Sequence, residues 1–354
     1  MGAVIESAPL RGQQWPALDP FLFCVHHVDH FPRGDGRLGP DAPLAGRQIG
    51  SDFAGVDGWN MYHGDTVPGF PAHPHRGFET VTFVQRGLID HADSMGATAR
   101  YGGGDVQWLT AGRGIVHAEM FPLVHTEADN PTELFQIWLN LPAQSTLAAP
   151  HFSMLWDEQI PRVTVTDGAG RNVEVTVVAG ALGDMEPPPP PPESWAGRPD
   201  ADVAIWHLRL DDGASFELPA AASAATVRTL YVFRDDTVAD TGGPAVSVDG
   251  EGVGADSVAV VQSDRAVTLS ADGAARVLVL QGRPIGEPVA RYGPFVMNTE
   301  DEIRRAFSDY RSTQFGGWPW GDDGPTNGVD AGRFALHADG RLDEPASAVA
   351  PDLS

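Results

Sequence analysis

The chain contains no lysine; its 23 basic residues are all arginine. Schiff-base and pyridoxal-phosphate chemistry require a lysine amine and are excluded. There is a single cysteine, Cys24, so neither an intrachain disulfide nor a thiolate metal cluster can form. Cationic surface is scarce too. Against 48 acidic residues the formal net charge is −25, and with no basic stripe to offset it, nucleic acid and acidic lipid surfaces are repelled. No apolar run is long enough to span a bilayer. The first residues lack a basic start followed by an apolar stretch, and Asp19, Asp29 and three histidines interrupt them. A soluble, cytoplasmic protein is the expectation.

What is present points to β structure. The 354 residues suit two domains of about 150 residues each with extensions. With 41 glycines and 30 prolines, the segments between turn signals are short and β-branched, which favours strands over long helices. Val81-Thr82-Phe83-Val84, Asp105 to Leu109 and Phe135 to Leu139 alternate as strands do. Six consecutive prolines, Pro187 to Pro192, cannot join a sheet ladder and read as an exposed polyproline II spacer. A second β-rich block follows, with Trp206 to Leu210 and Arg276 to Leu280 as its clearest strands. One helix is signalled: Thr299 and Glu302 form a capping box, and Ile303, Ala306, Phe307 and Tyr310 share a face. The expected organisation is a metal-binding barrel over 1–183, a proline-rich linker over 184–202, a second barrel with the helix over 203–320, and a loosely ordered polar tail over 321–354.

The chemistry-bearing residues come as two spaced pairs. In Pro71-Ala-His73-Pro-His75-Arg-Gly-Phe-Glu79, the i, i+2 spacing puts His73 and His75 on one strand face. Further on, Gly112-Arg-Gly114-Ile-Val-His117-Ala-Glu119 repeats that spacing after a glycine-rich lead-in, which lets the backbone turn tightly. An isolated His-x-His is weak evidence, since such pairs arise by chance; a second pair on a neighbouring strand is much harder to dismiss. Three imidazoles and a carboxylate converging in a barrel suit Fe(II), Mn(II), Ni(II), Cu(II) or Zn(II). Four protein ligands on a metal that prefers six leave two positions for chemistry. Glu79 shares the histidines' face if the register is unbroken.

These stretches, with Asp19-Pro-Phe-Leu and Gly293-Pro-Phe-Val-Met-Asn-Thr-Glu-Asp-Glu-Ile, resemble the pirin family of the cupin superfamily. The resemblance is close over 19–31, 71–141 and 282–316 and loose between about 185 and 280. It implies an all-β fold of two cupin-type barrels with a short C-terminal helix, and one metal, usually iron, in the first barrel only. It also implies His73, His75, His117 and Glu119 as ligands, Fe(II) as the metal, and Glu79 in a supporting hydrogen bond. Two functions come with it. One is quercetin 2,3-dioxygenase-type cleavage of a flavonol-like aromatic by dioxygen, with Glu119 as the catalytic base. The other is a non-enzymatic, iron-binding regulatory protein whose partner is a transcription factor or a metabolic enzyme. A different cupin reaction is a third reading, since fold and metal alone do not select among them.

Other candidates have ordinary readings. His26, His27 and His30 read as a solvated strand edge. Trp108, Phe78 and Met120 read as core packing, and Arg76 and Arg113 as partners of carboxylates. The second block has no His-x-His, and after His207 only His337 remains, so its barrel is expected to be metal-free.

Overall fold

The computed structural model describes residues 2–234 and 244–346. Strands dominate, as the alternating segments require, and they build two double-sheet units with separate cores. One comprises residues 25–158 and 287 onward; the other comprises residues 1–24 and 159–286.

In the unit of residues 25–158, one sheet runs His151–Leu155, Val106–Thr110, Phe78–Arg86, Asn130–Asn140, Phe21–Phe31. The facing sheet runs Leu342–Asp343, Phe334–Leu336, Thr98–Gly102, Leu88–Asp93, Ile115–Met120, Gly69–His75. The strand Gly69–His75 lies at that sheet's edge, where Pro71 and Pro74 cost no ladder hydrogen bond to a further strand. Strand faces alternate, so Leu134, Leu109 and Phe152 pack the interior together with Ile115. The other unit stacks a seven-stranded sheet on a four-stranded one. Its core is aliphatic, with Val175, Val177, Leu208, Leu230, Val277 and Val279 all buried.

The boundaries differ from those read in the sequence. The hairpin of Arg162–Thr166 and Asn172–Ala179 pairs through Asn172–Ala179 with Ala204–Leu210, so it belongs to the second unit's sheet. The six prolines therefore lie inside one unit and not between two. They form no strand, and they are not a fully exposed spacer either: Pro191 is buried.

The helix is where its capping box put it, over Glu300–Thr313. Glu302 N donates to Thr299 Oγ1 at 3.3 Å and Asn298 N to Glu302 Oε2 at 3.2 Å. It packs Ile303 and Ala306 against Phe295 and Met297 of the histidine-bearing unit, contrary to the expected second-barrel location.

The tail is not loose over its described length. Phe334–Leu336 adds a strand beside Thr98–Gly102. Arg100, wholly buried, donates two hydrogen bonds of 2.7 Å to Asp90 and others to the carbonyls of Asn327, Gly328 and Ala331. Arg333 reaches buried Asp105 at 2.7 Å. Two buried arginines thus tie the tail down, a long-range device that local polarity conceals.

Candidate metal centre

The two motif strands are direct antiparallel neighbours. His73 lies opposite His117 and His75 opposite Ile115, while a bulge between Phe70 and His73 brings Phe70 opposite Glu119. Gly112 and Gly114 enter the second strand at φ of 48° and 131°, and a Cβ on Gly112 would run into the Ala148 carbonyl. Only glycine serves at these turns without strain.

The ring centroids of His73 and His117 are 4.4 Å apart, those of His73 and His75 4.8 Å, and those of His75 and His117 5.0 Å. One ring nitrogen from each lies within 4.8 Å of the others, so the three could hold a metal ion. Their protonation fits that use. His73 Nδ1 donates to the Pro71 carbonyl at 2.9 Å, and His75 Nδ1 to the Pro294 carbonyl at 3.4 Å. A carbonyl accepts only, so each ring keeps its Nε2 lone pair, the arrangement metal-binding histidines usually adopt. Neither nitrogen of buried His117 has a hydrogen-bond partner, an unfavourable state for a polar group unless a ligand meets it.

Burial holds the rings neutral. His73 is lowered to about 4, chiefly by desolvation and secondarily by neighbouring histidines. His75 and His117 are pushed well below their usual range for the same first reason and then by His73, with His75 and His91 lowering His117 further.

Glu119 stands beside this group rather than within it, with Oε2 3.8 Å from His117 Nε2. Both its oxygens are engaged from the facing sheet: Thr82 Oγ1 donates to Oε1 at 3.2 Å and Gln136 Nε2 to Oε2 at 2.7 Å. Burial raises its carboxyl, while His91 and these two hydrogen bonds pull it back. Glu79, by contrast, accepts from Thr110 Oγ1 at 2.6 Å in a wholly buried structural contact.

Several neighbours escape sequence reasoning. Trp138 stacks on Phe78 at 3.9 Å and meets the His75 ring edgewise at 5.2 Å. His91 lies opposite Glu119 in register, with its ring 5.6 Å from that of His117. Its Nε2 is 3.3 Å from Asp93 Oδ2. Gln136, Trp138 and His91 all sit on alternating strands, so their parity was readable, but which parity faces inward depends on pairing. His27 and Asp29 correct an expectation: both are buried and hydrogen-bonded, not a solvated edge. Arg76 does pair with a carboxylate, Asp309, at 2.7 Å.

Comparison with known proteins divides the chain along the sequence rather than by these two units. Residues 7–139 match the family model described as Pirin, and residues 205–316 match the one described as Pirin C-terminal cupin domain. A Pseudomonas aeruginosa protein, named provisionally as a quercetin 2,3-dioxygenase, is 36% identical over 250 residues, covering 70% of this chain and 80% of its own. Human pirin is 34% identical over 265 residues, covering 73% and 81%. The crystal structure of quercetin 2,3-dioxygenase from Acinetobacter baumannii superposes with a TM-score of 0.66 at 25% identity, covering 89% of this chain and 98% of that one.

Proposed function

Because this chain belongs to the pirin family of two-domain cupins, we propose that it is a metal-dependent dioxygenase of the quercetin 2,3-dioxygenase type, cleaving a flavonol-like aromatic. The observation that carries the reading is the meeting of three neutral imidazoles, two with Nδ1 committed to carbonyls and the third with neither nitrogen bonded. The names carried by the Pseudomonas relative and the Acinetobacter structure support the substrate class.

His73, His75 and His117 would hold one divalent metal, Fe(II) by family habit, with Glu119 as the fourth donor or close beside it. When bound, the metal supplies a Lewis-acidic, redox-capable centre that lowers the acidity barrier of a substrate hydroxyl and admits dioxygen. Glu119 takes the proton of the flavonol 3-hydroxyl, and Oε1 is the better atom for it. A Thr82 hydroxyl can turn from donor to acceptor when Oε1 becomes protonated, whereas the Gln136 amide N–H at Oε2 can only donate. Burial, which raises the Glu119 carboxyl, moves it toward the range where a base works best near neutral pH. Phe78 and Trp138 keep bulk water from the His75 side of the site.

Turnover of a flavonol panel by iron-loaded protein, run with and without oxygen and against the metal-free form, tests the proposal. Cleavage that requires both metal and oxygen is expected. No cleavage by correctly loaded protein would overturn it in favour of the non-enzymatic, partner-binding reading.

A further inference from the structure

Beyond Glu119 the interior of the same unit continues into a cavity of about 10 Å³, room for about one water. Its polar lining is His27, Thr82, Glu119 and Gln136, closed in by Phe70 and Phe121 among others. One wall of this cavity is the end of a buried hydrogen-bonded chain. Asp29 accepts from the Asn60 backbone N–H at 2.9 Å and from the Tyr62 hydroxyl at 2.6 Å, and Tyr62 in turn lies 2.9 Å from His27 Nδ1.

The direction of every proton in this chain can be worked out. Burial raises Asp29 to about 6 against the pull of its hydrogen bonds from Tyr62 and Asn60, so above that pH it is a carboxylate with no proton to give. Tyr62 therefore spends its single proton on Asp29, and its oxygen must accept from His27 Nδ1–H. His27, lowered to about 3 by burial and then by the nearby His26, carries no second proton. Its Nε2 is then an acceptor on a ring that lines a cavity whose other polar wall is the Glu119 carboxylate. The His27 ring and Glu119 line one water-sized space, and a water there has two protons to offer these two acceptors.

We propose that the cavity holds one ordered water donating to His27 Nε2 and to Glu119, which makes Asp29, Tyr62 and His27 positioning residues for that carboxylate. The water's oxygen would accept from the Gln136 amide, which has a second N–H beyond the one given to Glu119. The carboxylate would then be held from a third strand of the facing sheet, in addition to Thr82 and Gln136. The role of the three residues rests on the work proposed for Glu119; the water and the His27 tautomer do not.

The test uses the full-length protein loaded with zinc for NMR and crystallography and with cobalt for absorption. Nitrogen-15 shifts should show His27 as the Nδ1–H tautomer, and Tyr62→Phe should change them. Electron density should show one water between His27 and Glu119. With one cobalt per chain in every variant, His27→Phe should shift the cobalt d–d bands, and His27→Gln, which restores an acceptor, should bring them back toward wild type. An Nε2–H tautomer, a dry cavity, or unchanged cobalt bands in His27→Phe would each overturn the proposal. Absence of flavonol turnover with these results in hand would instead overturn the dioxygenase reading alone.

Discussion

Inward positions of the Gly69–His75 and Ile115–Met120 strands carry His73, His75, His117 and Glu119, while Thr82 and Gln136 face them from the opposite sheet. Inward positions of the other unit carry Leu208, Leu230, Val232, Val277 and Val279, with Arg228 and Gln281 bonded to each other at 2.8 Å as the polar exception. One double-sheet plan thus has two fillings. An aliphatic filling stabilises by removing apolar surface from water. A polar filling must satisfy each buried group or leave it for a ligand, and every unmet group costs stability. In the unit that bears the histidines, both nitrogens of His117 are left unmet beside His73 and His75, where a bound metal would satisfy one of them. The other unit has no such histidine cluster among its described residues.

Four changes put this contrast to the test. The largest effect belongs to His73→Ala combined with His117→Ala. Elemental analysis should find metal content falling from one per chain to a small fraction, while Leu230→Ala in the aliphatic unit leaves it at one. Full metal in the double variant would remove these two histidines as ligands.

Next in size is the loss of a buried ion pair. Arg333→Ala strands Asp105 without its guanidinium, and chemical denaturation should show a loss of about 3–5 kcal/mol, the usual cost of leaving one buried charge unpaired. Leu230→Ala should cost about 2–5 kcal/mol through cavity formation. The two losses are similar in size and different in origin: the first strands a buried carboxylate, the second leaves a void.

Glu119→Gln comes third. The amide keeps an oxygen but cannot take a proton, so steady-state turnover should drop by about 10²-fold or more while metal content falls far less. Equal turnover with metal retained would take the base role from Glu119.

The smallest effect is acid sensitivity of the metal-free protein. His27 and His73 have folded values lowered to about 3 and about 4, below the ordinary 6.5 of the unfolded chain. Above pH 6.5 both states are neutral and nothing is lost. As pH falls from there toward 4, the unfolded chain takes up protons that the folded rings refuse, so stability declines. His75 and His117, also depressed, add to this, whereas raised Asp29 and Glu119 work the other way. Melting temperature should therefore fall between pH 6.5 and 4; bound metal should raise it across that range without making the fall shallower, because liganded rings take up still fewer protons. A flat profile would mean that these rings are not buried neutral.

What could be read from the sequence was local. The i, i+2 spacing of His73 and His75 and of His117 and Glu119 is a property of one strand at a time. So is the capping of the helix by Thr299 and Glu302. The unit boundaries depend on which strands pair across long separations, and nothing near Arg162–Thr166 announces its partner. The tail misleads for a similar reason. Its polar, glycine-rich composition reads as loose because the groups that hold it, Arg100 and Asp90, lie far away in the chain. His27 misleads because a histidine beside two others looks solvated until Tyr62 and Asp29 are seen around it.

One metal among His73, His75 and His117, and none in the aliphatic unit, is the expectation for this chain. Diffraction recorded at the absorption edge of the bound metal tests it most directly. A single anomalous peak per chain is expected, within coordinating distance of the three imidazoles. A peak elsewhere, a second peak of equal height in the aliphatic unit, or none in protein shown to carry stoichiometric metal would contradict it.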